Sequence, residues 1–173
     1  APYKAFMAQA SEPANLLEAK ERSDRYAEIA AGVLDFGAPG SAAAGEQPKF
    51  LAIRRSETGL TPVLVKFSPP VGDPVSQRVA DLLVAEHLAL EALASVGFSS
   101  PGSTVLVAGD RTFLEVERFD RVSAYQRRGV VSLMALDAHF VGGPQARWSE
   151  SVASLSEAGI VPGTEVERVR SLE

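Results

Sequence analysis

The chain has no cysteine and only two histidines, His87 and His139. The first absence excludes disulfides and thiolate metal sites, and it fits a cytoplasmic protein. The second leaves too few imidazoles for a His-rich metal centre. Positive charge is also in short supply. The formal net charge is −5 and the pI about 5.2, so a broad basic surface for nucleic acid is not implied. Arg54-Arg55 and Arg127-Arg128 are small isolated clusters. Both read best as solvated surface, and direct nucleic-acid binding by this chain is not expected. No apolar run reaches transmembrane length and no signal peptide is visible, so no membrane partner is expected. What is present is ordinary for a globular protein: 46% hydrophobic and 23% charged residues. At 173 residues the chain suits one domain, or a lobe with an appendage.

Hydrophobic spacing predicts the elements. Leu16, Leu17, Ala19, Tyr26, Ala27, Ile29, Ala30 and Val33 recur at helical spacing, predicting a helix from Pro13 to about Asp35 that Gly37, Pro39 and Gly40 end. Phe50–Arg54 and Pro62–Phe67 read as a hairpin across Ser56–Gly59. Residues 75–96 form the clearest helix, with Val79, Leu82, Leu83, Leu90, Leu93 and Ala94 on its apolar stripe and Gly97 closing it. Ser103–Val107 and Thr112–Phe119 read as a second hairpin around Gly109-Asp110. Residues 122–129 read as a linker, followed by helices over 130–140, 148–158 and 163–173. A hairpin, a helix and a second hairpin predict an α+β fold: an antiparallel sheet with one long packed helix, plus flanking helices. The expected division is a helical segment at 1–36, a lobe at 37–121, and a helical linker at 122–173.

Four features carry candidate chemistry. The tiny residues Ser41-Ala42-Ala43-Ala44 run into Gly45-Glu46-Gln47-Pro48-Lys49-Phe50, at the entry to a strand. Such a loop lets backbone N–H groups approach phosphate oxygens closely, although it also suits a plain flexible turn. Lys66 interrupts the apolar strand Val63-Leu64-Val65-Lys66-Phe67. It reads either as a strand-end lysine with its head in water, or as a phosphate-contacting lysine paired with a carboxylate. Glu86 lies on the apolar stripe of the long helix, four residues from Leu82 and Leu90. It either reaches water at the stripe's edge or supplies that carboxylate. The charge-dense run Glu115-Val116-Glu117-Arg118-Phe119-Asp120-Arg121 is either a solvated strand end or the exit of a nucleotide-binding lobe. In the second case its backbone would meet an adenine edge and Phe119 would line the base pocket. Asp137 and His139 do not share a helix face, so no dyad is expected there. Trp148 reads as a packing residue. No nucleophile elbow is present.

These strings, in this order, resemble the amino-terminal lobe of the HipA-like serine/threonine kinases of bacterial toxin modules. The match runs through Ala44-Gly45-Glu46-Gln47-Pro48-Lys49, Val65-Lys66-Phe67, Ala85-Glu86-His87-Leu88-Ala89-Leu90 and Val116-Glu117-Arg118-Phe119-Asp120-Arg121. The resemblance implies a protein-kinase-like lobe that binds ATP, with Mg2+ in the complete protein. Ala43, Ala44, Gly45, Glu46, Gln47 and Lys49 would cover the phosphates. Lys66 would touch the α- and β-phosphates, Glu86 would orient it, and Glu117 and Phe119 would form the hinge at adenine. The family autophosphorylates a serine of the phosphate loop, which shuts off ATP binding. The matching residue here is Ala42, which leaves neighbouring Ser41 as the candidate. The implied partners are a protein substrate and an antitoxin.

The resemblance also implies a catalytic Asp with a following Asn, and a second Asp for the metal. No such string is found, so the chain reads as a fragment of a longer kinase, inactive alone. The alternative from a different class is a non-catalytic docking module with a vestigial nucleotide site.

Overall fold

A computed structural model describes residues 16–18, 20–35, 47–57, 59–122, 126–142 and 147–173. Two compact units divide the chain, one ending at Arg128 and the other running from Gly129 to Glu173.

The first unit is built on five strands: β1 (Leu16–Glu18), β2 (Lys49–Ser56), β3 (Gly59–Phe67), β4 (Ser103–Ala108) and β5 (Arg111–Glu117). Their order across the sheet is β1-β2-β3-β5-β4. Pairing is antiparallel throughout except that β1 runs parallel to β2. The fold is α+β, with a mixed sheet rather than a wholly antiparallel one. Helix α1 (Arg22–Asp35) and helix α2 (Pro74–Ser95) belong to the same unit.

The expected helix over Pro13–Asp35 is corrected. Leu16, Leu17 and Glu18 form β1 instead, with Leu16 opposite Ile53, and the helix begins at Arg22. Three residues are too few for periodicity to separate strand from helix. Pairing with a strand more than 30 residues away decides the matter. Pro13 and Gly37, Pro39 and Gly40 lie outside the described residues.

Alternation gives the sheet two buried faces. Phe50, Ala52, Val63, Val65, Phe67 and Phe113 form one core cluster with Leu17, Tyr26 and Ala30. Tyr26 and Ala30 are one helical turn apart, so α1 presents a single stripe to this face. The Tyr26 ring lies 5.4 Å from Phe50 and 5.9 Å from Phe113, distances that suit edge and tilted aromatic contacts. Residues between these, including Lys66, Leu114 and Thr112, turn to the other face, which α2 covers. Ser76, Ala80 and Leu83 are its buried residues. Leu82 is 50% exposed, so the expected stripe is corrected: it runs one residue to the side. The sheet therefore carries a helix on each face, where the sequence predicted one.

Local chemistry fixes α2. Asp73 caps it, accepting hydrogen bonds from the N–H groups of Val75 and Ser76, with Pro74 in the first turn. The Ser76 hydroxyl and these two N–H groups hold the Asp73 carboxyl below its usual range. At the far end Gly97 takes φ 85, and the Gly97 and Phe98 N–H groups donate to Ala94 and Leu93. This is a Schellman closure, in which glycine escapes the strain of the left-handed region.

β5 ends at Glu117, two residues before the expected Phe119. The reason lies on β3. The Arg118 N–H donates to the Pro62 carbonyl at 3.0 Å. Proline has no N–H to return, so the ladder loses its reciprocal bond and the chain turns away.

In the second unit, α3 (Leu133–Phe140), α4 (Trp148–Glu157) and α5 (Thr164–Arg170) bury Val152 and Leu155. Ser132 caps α3, so the helix expected from Val130 starts three residues later. Trp148 is 65% exposed, which corrects its reading as a packing residue. Among the described residues, no helix is long and apolar enough to cross a membrane.

Candidate functional site

Lys66 stands between Val65 and Phe67, both fully buried on the α1 side. Strand alternation therefore aims Lys66 at α2. Glu86 lies one turn beyond Leu83 on the inner stripe of that helix. The two meet: the Lys66 ammonium donates to both oxygens of Glu86 at 2.7 Å. Their side chains are 22% and 35% exposed. The pair is thus neither sealed nor free, and both groups stay partly open to solvent.

Lys49 is the register partner of Lys66 on β2. Its side chain shares the same face, since directly opposite residues project together. Lys49 is 8% exposed, and its ammonium donates to the Gln47 carbonyl at 3.2 Å. Two lysines on one face make a cationic strip at the entry to β2. Ser41, Ala43, Ala44, Gly45 and Glu46 of the expected phosphate loop lie outside the described residues, as does Ala42. One helical position after Glu86, His87 Nδ1 lies 2.8 Å from the Ser103 hydroxyl on β4, tying α2 to the sheet edge.

Glu117 lies on the opposite face. Its carboxylate accepts from Arg54 at 2.6 Å, and its N–H donates to the Gly102 carbonyl at 2.8 Å. A Cβ at Gly102 would come within 3.1 Å of the Glu117 carboxyl, so glycine is there to let that carboxyl in. Phe119 is 62% exposed beyond the strand end. The Glu117 side chain is therefore committed to the sheet, and Phe119 stands beyond the exit of β5. Lys66 and Glu86 are brought together, whereas Glu117 belongs to a different cluster.

That cluster was not anticipated. Glu115 is 1% exposed, on the α1 side of the sheet. The Tyr26 hydroxyl donates to it at 2.6 Å, Arg54 pairs with it at 3.0 Å and Arg22 at 3.4 Å. Burial, and then the bond and charge of Glu115, push the Tyr26 hydroxyl well above its usual titration range. Arg54 bridges Glu115 and Glu117, which corrects the reading of Arg54 as solvated surface. The signal was available in principle. Glu115 shares its strand face with Phe113, and a carboxylate buried there requires cations. Among the described residues, no group of three or more His, Asp or Glu is placed to hold a metal.

A family profile described as HipA-like C-terminal domain matches residues 41–158, more than half of the chain, and the chain belongs to that family. It is 39% identical over 142 residues to Toxin YjjJ of Escherichia coli (strain K12), an alignment that covers 82% of this chain and 32% of that relative. The chain thus spans only a minor part of the relative's length. No solved structure matches it.

Proposed function

We propose that the first unit is a kinase-like lobe that binds ATP, from a HipA-like toxin that phosphorylates serine or threonine on a protein. The observation that carries this reading is the bidentate Lys66–Glu86 contact at 2.7 Å. A carboxylate that accepts from one ammonium through both of its oxygens fixes the direction of that ammonium. A lysine so fixed on a strand is the element that protein kinases use to hold α- and β-phosphates. Lys49, on the same face, adds positive charge at the entry of the loop over 41–47. The N–H groups of Glu117 and Arg118 are taken up by Gly102 and Pro62. The main chain after Arg118 leaves the ladder, and that is where a base edge would meet it.

ATP supplies the transferable phosphoryl group, with Mg2+ as counter-charge. In this reading, Lys66 donates to phosphate oxygens, Glu86 keeps it aimed, and Phe119 covers one side of the base. Ser41 is the proposed acceptor of autophosphorylation. The metal ligands and catalytic carboxylate are assigned to the longer protein, together with a protein substrate, an antitoxin partner and a cytoplasmic setting.

The test is a thermal melt of the purified chain with and without Mg-ATP. The expected result is a stabilisation that disappears in both Lys66→Met and Glu86→Ala while the nucleotide-free melts stay close to wild type. No shift in the wild type, or an equal shift in both variants, overturns the reading. The second reading is a docking module. It is favoured by the apolar outer surface of α2, where Leu82 and Leu88 are 50% and 60% exposed. A wild type that binds no nucleotide leaves this reading in place.

A further inference from the structure

Just past β5 the chain makes a second, much smaller antiparallel pairing. Arg121 lies opposite Arg127. The flanking bonds run from the Val122 N–H to the Gln126 carbonyl at 3.0 Å, and from the Arg128 N–H to the Asp120 carbonyl at 2.8 Å. With bonds on either side and none between them, 121 and 127 form a non-hydrogen-bonded pair. In that geometry the Cα atoms approach to about 4.5 Å and the two side chains project from one face. Like charges placed directly opposite each other weaken a ladder. Two guanidiniums here share one face.

A third arrives from Arg118, whose Nε and Nη2 donate to the two oxygens of Asp120 at 2.8 and 2.5 Å. Among the described residues, Asp120 is the only carboxylate that pairs with these arginines. Its Oδ2 is 3.6 Å from Arg121 Nε, beyond hydrogen-bond reach. The carboxylate therefore spends its hydrogen bonds on Arg118 and meets Arg121 through charge alone. Among the described residues, three guanidiniums against one carboxylate leave a net surplus of two positive charges. Arg121 is not simply waving in water: its side chain is only 17% exposed. Desolvation, and then Arg118 and Arg127, hold its titration below the ordinary value. No acceptor among the described residues bonds the Arg121 or Arg127 guanidinium. Arg127 is exposed and open to a ligand.

We infer that the turn formed by Arg118, Asp120, Arg121 and Arg127 is an oxyanion site for a phosphate group, either inorganic phosphate or a phosphate monoester. A dianion matches the surplus of two charges, and the planar guanidinium fork suits phosphate oxygens in paired contacts. Arg118 and Asp120 form the fixed wall, while Arg121 and Arg127 supply the donors. Lys66 and Glu86 take no part, so the site stands whether or not the chain binds ATP.

The experiment is an amide chemical-shift titration of the whole chain with inorganic phosphate and, separately, with O-phosphoserine, against chloride at matched ionic strength. Saturable shifts are expected at residues 118–121 and 127–128, with affinity about tenfold weaker in Arg121→Gln and in Arg127→Gln. Lys66→Met leaves them unchanged. Shifts that chloride reproduces, or an affinity that Arg127→Gln does not alter, overturn the site. Arg127 is exposed, so its variant keeps the test decisive even if Arg121→Gln does not fold. Tighter binding of O-phosphoserine than of phosphate assigns the site to a phosphorylated side chain. Equal affinities assign it to the free ion.

Discussion

The two faces of the sheet solve the same electrostatic problem in opposite ways. On the α1 side, Glu115 is 1% exposed and gathers Tyr26, Arg54 and Arg22 around one carboxylate. On the α2 side, Lys66 meets one partner, Glu86, and both remain partly open to solvent. A sealed charge needs every lone pair answered, because nothing else can reach it. A half-open pair can exchange part of its bonding for a ligand without leaving a buried orphan. The closed cluster therefore reads as architecture, and the open pair as the place where the proposed nucleotide would bind.

Mutating each side separates these roles. The largest expected effect is from Glu115→Ala. It leaves Arg54 and Arg22 without their shared counter-charge and should cost about 3–5 kcal/mol of stability in urea denaturation. A loss as small as that of a surface variant would break the contrast. Next is Tyr26→Phe, which removes one short bond to a buried carboxylate and should cost about 2 kcal/mol. The same variant has a pH signature. The hydroxyl titrates higher in the folded chain than its ordinary 10.0. The folded state therefore keeps its proton longer than the unfolded state. This part of the stability is present below pH 10 and falls as pH rises beyond it. Wild type should lose stability more steeply than Tyr26→Phe above that point; parallel curves would contradict the assigned cause. The smallest stability effect belongs to Glu86→Ala, at about 1 kcal/mol or less, because the pair is only partly removed from water. A stability loss there rivalling that of Glu115→Ala would mark the lysine pair as structural too.

The parts of this picture legible in the sequence are the local ones. The stripe on α2 and the apolar run around Lys66 each follow from spacing within a few residues, and together they name the Lys66–Glu86 pair. The Gly97 stop follows from cap chemistry, whereas the helix takes in Pro74, one residue before the stretch the spacing marks. What was not legible depends on partners distant in the chain. β1 is too short to carry a period and exists through pairing with β2. Glu115 sits in a strand that looked like a charged edge, and only a helix on the second face, supplied by Tyr26 and Arg22, turns it into an interior residue. Arg54 looked solvated beside Arg55, yet alternation sends the two to opposite faces, and Arg54 alone meets Glu115 and Glu117.

Pro62 shows how far such dependence reaches. It occupies β3, but its consequence falls on β5, whose final rung it leaves with a single bond from Arg118. The length of one strand is thus written into another, and so is the point at which the backbone becomes available for outside contacts. Alanine at position 62 would restore the absent donor and invite β5 to zip onward through Phe119. The segment that now turns outward would then be drawn into the sheet, closing the exit without touching any residue within it.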